Sequence, residues 1–220
     1  MKLDIPLIRQ AKESFDCGLA SIAMILKYHG IEKEIIDIKK ELTIHKDVGS
    51  YISELGTYFL KQGFDANIVT MNPHLFTKQL ENNSPNQLIS HLKEKRKEMK
   101  QEISVNSVTY LIDFLEQGGI IDVKIPSAEY IKNEISQGRP LCSWATTNFL
   151  TNNSSKFNYH FNVITGIDNK NIYVNDPSQD AYGGKKQYAI NDYLYAIHST
   201  AHVCPEAASI LTIKTNREKK

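Results

Sequence analysis

Three residues of this 220-residue chain supply the groups that nucleophilic acyl transfer requires: a thiol, an imidazole and a carboxylate. They are Cys17, His160 and Asp176, in that order. Cys17 stands in Gln10-Ala-Lys-Glu-Ser-Phe-Asp16-Cys17-Gly18, immediately before an apolar series at helical spacing, Leu19, Ile22, Ala23 and Leu26. A thiol there lies at a helix N-terminus, where unpaired N–H groups and the helix dipole favour thiolate and should lower its pKa. His160 opens a second apolar segment running to Ile167, and Asp176 follows in Asn175-Asp176-Pro177. Taken singly, each has a plainer explanation: a buried helix-start cysteine, a satisfied strand histidine, a turn-initiating aspartate before proline. The three together suggest a nucleophile, its base and the group that orients the base.

The remaining reactive side chains lack such company. Cys142, in Pro140-Leu-Cys-Ser-Trp144, reads as a small buried strand residue, and Cys204 before Pro205 as a loop or strand-end residue. Three cysteines with no C-x-x-C pair exclude a structural zinc site, and no metal or organic cofactor is expected. Free thiols suit a reducing compartment. His29, His45, His74, His91, His198 and His202 read as surface or packing residues, and Asn162 and Asp168 as loop and turn residues. Trp144 fits a core position better than a cleft wall.

The elements that must hold these groups can be read from periodicity. At 41% hydrophobic and 23% charged, the chain has the composition of one globular domain. Its formal charge of +1 gives no field for nucleic acid. The start, Met1-Lys-Leu-Asp-Ile-Pro, is unlike a signal peptide, and no apolar run approaches the roughly 20 residues of a spanning helix. A cytoplasmic protein, or one delivered by a signal-independent secretion system, without membrane insertion, is expected.

Spacing predicts helices over 17–29, 33–42 and 50–62, and a strand over 64–70. A turn cluster at 82–86, a charged helical stretch at 91–102 and a short helix at 108–115 follow. A helix at 127–135 precedes strands at 141–147, 159–168, 171–175, 186–190 and 208–214, with a last short helix at 191–196. The expected fold class is α+β. A helical lobe with the nucleophile (1–71) is followed by a helical insertion or lid (72–127), an antiparallel β lobe with the histidine and aspartate (128–216) and a tail (217–220).

The ordered segments resemble a family. Asp16-Cys17-Gly18-Leu-Ala20 through Met24-Ile25 to His29-Gly30, then Gly49-Ser50, Leu55, Gly63-Phe64-Asp-Ala66, Glu134-Ile135, Gly138-Arg-Pro140, His160-Phe-Asn-Val163, Gly166, Ile172-Tyr-Val174 and Asn175-Asp176-Pro177 are similar to the C39-like branch of the papain-like cysteine peptidases. The stand-alone type is the nearer match, rather than the bacteriocin-exporter domains. The resemblance implies a bacterial chain with a papain-like fold across 1–220. Cys17 would be nucleophile, His160 general base and then acid, Asp176 the orienting carboxylate and Gln10 the oxyanion donor, acting on a protein or peptide substrate. Two departures stand out. Gln10 precedes Cys17 by seven residues, one more than the family pattern, so either the chain between has a one-residue bulge or the oxyanion donor comes from elsewhere. The stretch from Cys17 to His160 is long for the group, and the excess coincides with 72–127.

A cysteine peptidase or amide hydrolase working through a Cys17 thioester is therefore the expected function. An acyltransferase, a transpeptidase or a protein glutamine deamidase would use the same triad, since only the acceptor differs. A catalytically inactive binding module is the remaining alternative.

Overall fold

The computed structural model of the chain describes residues 1–46, 48–151, 158–180 and 183–215. The tail expected at 217–220 lies outside the described residues. Helix α1 (Cys17–Tyr28) has every residue from Cys17 to Leu26 buried, because its composition leaves it no polar face. Even Ser21 is turned inward, its hydroxyl donating to the Cys17 carbonyl at 2.9 Å. Short α2 (Ile35–Glu41) and α3 (Ile52–Lys61) follow, and then strand β1 (Phe64–Thr70).

The middle of the chain forms α4 (Pro85–Glu98), α5 (Glu102–Glu116) and β2 (Ile120–Val123). The rest is α6 (Ala128–Ser136), β3 (Leu141–Thr146), α7 (Thr147–Leu150), β4 (Tyr159–Ile167), β5 (Asn171–Asp176), β6 (Gly184–Ala189), α8 (Ile190–His198) and β7 (Ser209–Thr215). The strands make one sheet of seven in the order β2-β1-β7-β3-β4-β5-β6. Every pair is antiparallel except β1 with β2.

Apolar residues cover both sheet faces, as alternation along β3 shows. Cys142 and Trp144 join the core made with α1, α3 and α5, while Leu141 and Ala145 join the core made with α6 and α8. The residues before α1 lie along the sheet end. Lys2 bridges Gly166, and Leu3 N–H donates to Thr165 O at 2.7 Å. A Cβ on Gly166 would stand 2.7 Å from Met1 O, so this close approach requires glycine.

The α+β class and all five strands expected after residue 140 are present, with end shifts of a residue or two. The strand expected at 64–70 joins the helical lobe to the sheet, β1 pairing with β7 along its whole length. Two expectations need correction. The insertion is not wholly helical. Ile120-Ile-Asp-Val123 is too short to show a period, and its strand character comes from the parallel partner β1. The helix expected to begin at His91 begins at Pro85. Ser84 accepts from Gln87 N–H, and Gln87 reaches back to Ser84 N–H at 2.8 Å, a capping box with proline at the first helical position. That signal lies in Ser84-Pro-Asn-Gln87, whose residue types suit a turn equally well.

Within 72–127, where a lid is one expectation, β2 forms the sheet edge four strands away from β4, and α5 packs on α3. Phe114 of α5 is fully buried against Gly56 of α3, where a Cβ would stand 2.7 Å from its ring. Phe114→Ala should lower unfolding free energy by about 3–5 kcal/mol in a denaturant titration. A loss below about 1 kcal/mol would mean the insertion is not part of the core.

Candidate active site

Cys17 is the first residue of α1. The residue before it, Asp16, makes no side-chain cap; its buried carboxylate instead takes Lys39 Nζ at 2.9 and 3.2 Å. The N–H groups of the first turn are thus left for other partners. Helix α1 packs on β4, and the backbone N–H groups of Gly18 and Phe161 both face the Cys17 sulfur. Phe161 is the neighbour of His160, so this contact brings the nucleophile helix to the strand that carries the imidazole.

The β4–β5 register explains why His160 and Asp176 meet. Val163 pairs with Asn175, so one step further Asn162 stands opposite Asp176, and His160 is the diagonal neighbour on the same face. His160 Nδ1 lies 3.0 Å from Asp176 Oδ1, although without the in-line geometry of a full hydrogen bond. Asp176 is itself held by Ser178 N–H, which donates to Oδ1 at 2.8 Å. Its neighbour Asn175 donates to Ile5 O at 2.9 Å. Asn162, expected in a loop, is a buried residue of β4 whose amide donates to the His160 carbonyl at 2.8 Å. Its side chain bends back along its own strand to do so.

The expectation that the helix terminus lowers the Cys17 pKa is overturned. Burial pushes the thiol from its ordinary 9.0 up to about 11, and the charge of Asp176 acts in the same direction. The N–H groups of Phe161 and Gly18 pull it down without prevailing. The residue is only 8% exposed, so desolvation of a thiolate outweighs the helix end. Burial lifts Cys142 and Cys204 further still, which leaves Cys17 the most acidic of the three.

Gln10 is buried, and the chain between it and Cys17 turns. Glu13, between Gln10 and Cys17, takes φ = 58°, a left-handed conformation that shortens the path of the extra residue. The Gln10 side-chain amide donates to Ser14 O at 2.7 Å, while its Oε1 is buried without a partner. Buried polar atoms are normally paired. Among the described residues Gln10 Oε1, Ser50 Oγ, Asn162 Oδ1 and His160 Nδ1 lack a hydrogen bond on segments near Cys17, and Asn67 Oδ1 lacks one on β1. Ser50 Oγ is placed by its contact with Gly18, where it would lie 3.0 Å from an added Cβ.

Other expected residues stay out of the site. Trp144 is a core residue, its ring centroid 5.1 Å from Phe161 and 5.9 Å from Tyr159. His45 pairs with Glu54 at 2.8 Å, while His91 and His198 bond backbone carbonyls. Asp168 accepts from Lys170 N–H, Asn171 N–H and Tyr173 Oη–H, which hold its carboxyl down at about 2. It is the turn residue expected. Among the described residues no cluster of His, Cys, Asp and Glu could hold a metal, and no helix is long and apolar enough to cross a membrane.

Sequence reasoning missed Glu206. Its buried carboxylate accepts from Ile52 N–H and Ser53 Oγ–H at the start of α3, capping that helix from 153 residues away. Burial lifts it from 4.5 to about 8 against those donors. No local signal could have found a cap supplied from so far along the chain.

The chain matches the Peptidase_C39 like family over residues 2–200. It belongs to that family. Among solved structures, a C39-like peptidase described from Bacillus anthracis superposes with a TM-score of 0.56 at 14% identity, covering 98% of each chain. The double glycine motif protease of an AMS/PCAT transporter, solved with its leader peptide, gives 0.48 at 15% identity over 98% of this chain and 94% of that one. The peptidase domain of Streptococcus ComA gives 0.48 at 11% identity over 96% and 98%. No curated protein sequence matches. Membership of the C39-like family and the papain-like fold of the first neighbour agree with the resemblance read from Asp16-Cys17-Gly18 and His160.

A raised thiol pKa has a kinetic consequence in this C39-like chain. Between pH 7 and 10 the thiolate fraction rises about tenfold per unit, and at pH 8 it lies roughly a hundredfold below that of an unperturbed thiol. Alkylation of Cys17 by iodoacetamide, mapped by mass spectrometry, should climb across this range without levelling near neutrality. A rate already flat at pH 7 would show a preformed thiolate.

Proposed function

We propose that this C39-like chain is a cysteine peptidase or amide hydrolase in which Cys17 is the nucleophile, His160 the general base and acid, and Asp176 the residue that orients the imidazole. The observation that carries the reading is the 3.0 Å approach of His160 Nδ1 to the buried Asp176 carboxylate, on a strand whose next N–H faces the Cys17 sulfur.

With Nδ1 turned to Asp176, the proton is held on Nδ1 and the Nε2 lone pair is available to the thiol. Because burial keeps Cys17 protonated at rest, Nε2 takes the thiol proton as sulfur attacks the substrate carbonyl. The tetrahedral intermediate collapses to a Cys17 thioester when the C–N bond breaks, and the imidazolium returns its proton to the leaving amine. Water, deprotonated by the same imidazole, then releases the carboxylic acid and the free thiol. The oxyanion of each intermediate needs donors, and the Cys17 N–H together with the Gln10 side-chain amide are assigned to it. Loss of one such donor costs about 3 kcal/mol of barrier.

Incubation with candidate proteins and peptides, followed by mass spectrometry, distinguishes the outcomes. Cleavage supports this reading; a one-dalton gain at glutamine or a transferred acyl group would replace hydrolysis of the backbone with deamidation or transfer. Cys17→Ala should abolish turnover, and His160→Ala should reduce it by about 10²–10⁴. In thiol labelling of the native protein Cys17 should react before Cys142 and Cys204, and more slowly in His160→Ala. Equal labelling of all three thiols would sink the assignment.

A further inference from the structure

Gln10 is gripped by the loop that leaves Asp176. Its N–H donates to Pro177 O at 3.0 Å, and its carbonyl accepts from the Gln179 side-chain amide at 2.8 Å. Arg9, just before it, donates to Ser178 O. Residues 177–179 therefore hold residues 9 and 10 across most of the length of the chain. The same loop secures the orienting carboxylate, through the Ser178 N–H bond to Asp176.

The segment on the other side of Gln10 holds its side chain but not its backbone. The Gln10 amide donates to Ser14 O at 2.7 Å, and the other bonds between Ala11 and Asp16 are local: Ser14 N–H and Oγ–H to Ala11 O, and Asp16 N–H to Ser14 Oγ. That stretch also contains Glu13 in its left-handed conformation and carries the residue in excess of the family pattern. The turn therefore fixes where the Gln10 amide sits relative to Ser14, while the Gln10 backbone is placed from residues 177–179. Gln179 is exposed, so burial does not keep its side chain in place; the bond to Gln10 O does.

We propose that Gln179 is a positioning residue of the active site: by holding the Gln10 carbonyl it aims the Gln10 amide at the oxyanion and ties that amide to the loop of Asp176. The inference rests on Cys17 as nucleophile and Gln10 as oxyanion donor. It makes the donor and the base-orienting carboxylate move as one unit, so the seven-residue spacing is tolerated because Gln10 is anchored from the β lobe rather than from α1.

Two reagents separate oxyanion stabilisation from thiol reactivity. N-acetylglycinal adds to the thiol as a hemithioacetal, whose oxygen occupies the oxyanion position, and it has no side chain that needs a pocket. Iodoacetamide alkylates the thiol without forming a tetrahedral centre. In Gln179→Met, which keeps length and loses the donor, protection of Cys17 by the aldehyde should weaken about three- to tenfold, the range of one hydrogen bond. Its iodoacetamide rate at pH 8 should be unchanged, and Gln179→Lys, which restores a donor of similar reach, should recover affinity for the aldehyde. Unchanged aldehyde affinity in Gln179→Met, or a parallel fall in both reactions, overturns the positioning role. Gln10→Ala tells the two readings apart. If it weakens the aldehyde while Gln179→Met does not, only the role of Gln179 fails; if it has no effect, Gln10 is not the donor and both fail.

Discussion

Everything at this site depends on one packing contact, the burial of α1 against the sheet at β4. The helix has no polar face, so it can only be an interior element, and its first residue is necessarily drawn into the wall of the core. That burial brings the Cys17 sulfur to the N–H of Phe161 and so to the strand of His160. It also sets the chemistry. A thiol inside apolar surroundings resists ionisation, and two facing N–H groups and a helix terminus do not compensate. Cys17 is therefore held as a thiol, and in the proposed mechanism the imidazole is what activates it.

The rest of the molecule keeps this contact rigid from both sides. On one side α3 and α5 close the core, and α3 is capped by the remote carboxylate of Glu206. Tyr51, at the start of α3, also reaches the Ile103 carbonyl of α5 at 3.4 Å. On the other side the residues preceding α1 are tied to the sheet by Leu3 to Thr165, Asn175 to Ile5 and Gln10 to Pro177. The nucleophile helix is therefore positioned from before and behind. Among the described residues, Gln10 Oε1, Ser50 Oγ and Asn162 Oδ1 are buried without a hydrogen bond on these supports, as is Asn67 Oδ1 on β1.

Much of this could be read in the chain. Leu19, Ile22, Ala23 and Leu26 marked α1, and alternation and β-branching marked the strands from Leu141 onward. The candidate triad came from residue types and order. Where the reading went wrong, the cause is specific. The Ser84-Pro-Asn-Gln87 capping box was present but was weighed as a turn. Ile120–Val123 carries no signal of its own, because four residues become a strand only beside β1. Asn162 looked like a loop residue, yet the ladder with β3 holds it in a strand.

The amino-acid sequence by itself determined which groups exist, their order, the secondary elements that bear them and the family to which the chain belongs, because periodicity and local motifs are properties of neighbouring residues. Tertiary structure decided everything that depends on distance through space. It raised the Cys17 pKa, because desolvation is a property of what surrounds the sulfur and not of the helix it begins. It put β2 at the far sheet edge, and it anchored Gln10 to a loop at the other end of the chain. Burial and long-range hydrogen bonds arise only when distant segments meet, so no local pattern could have shown them.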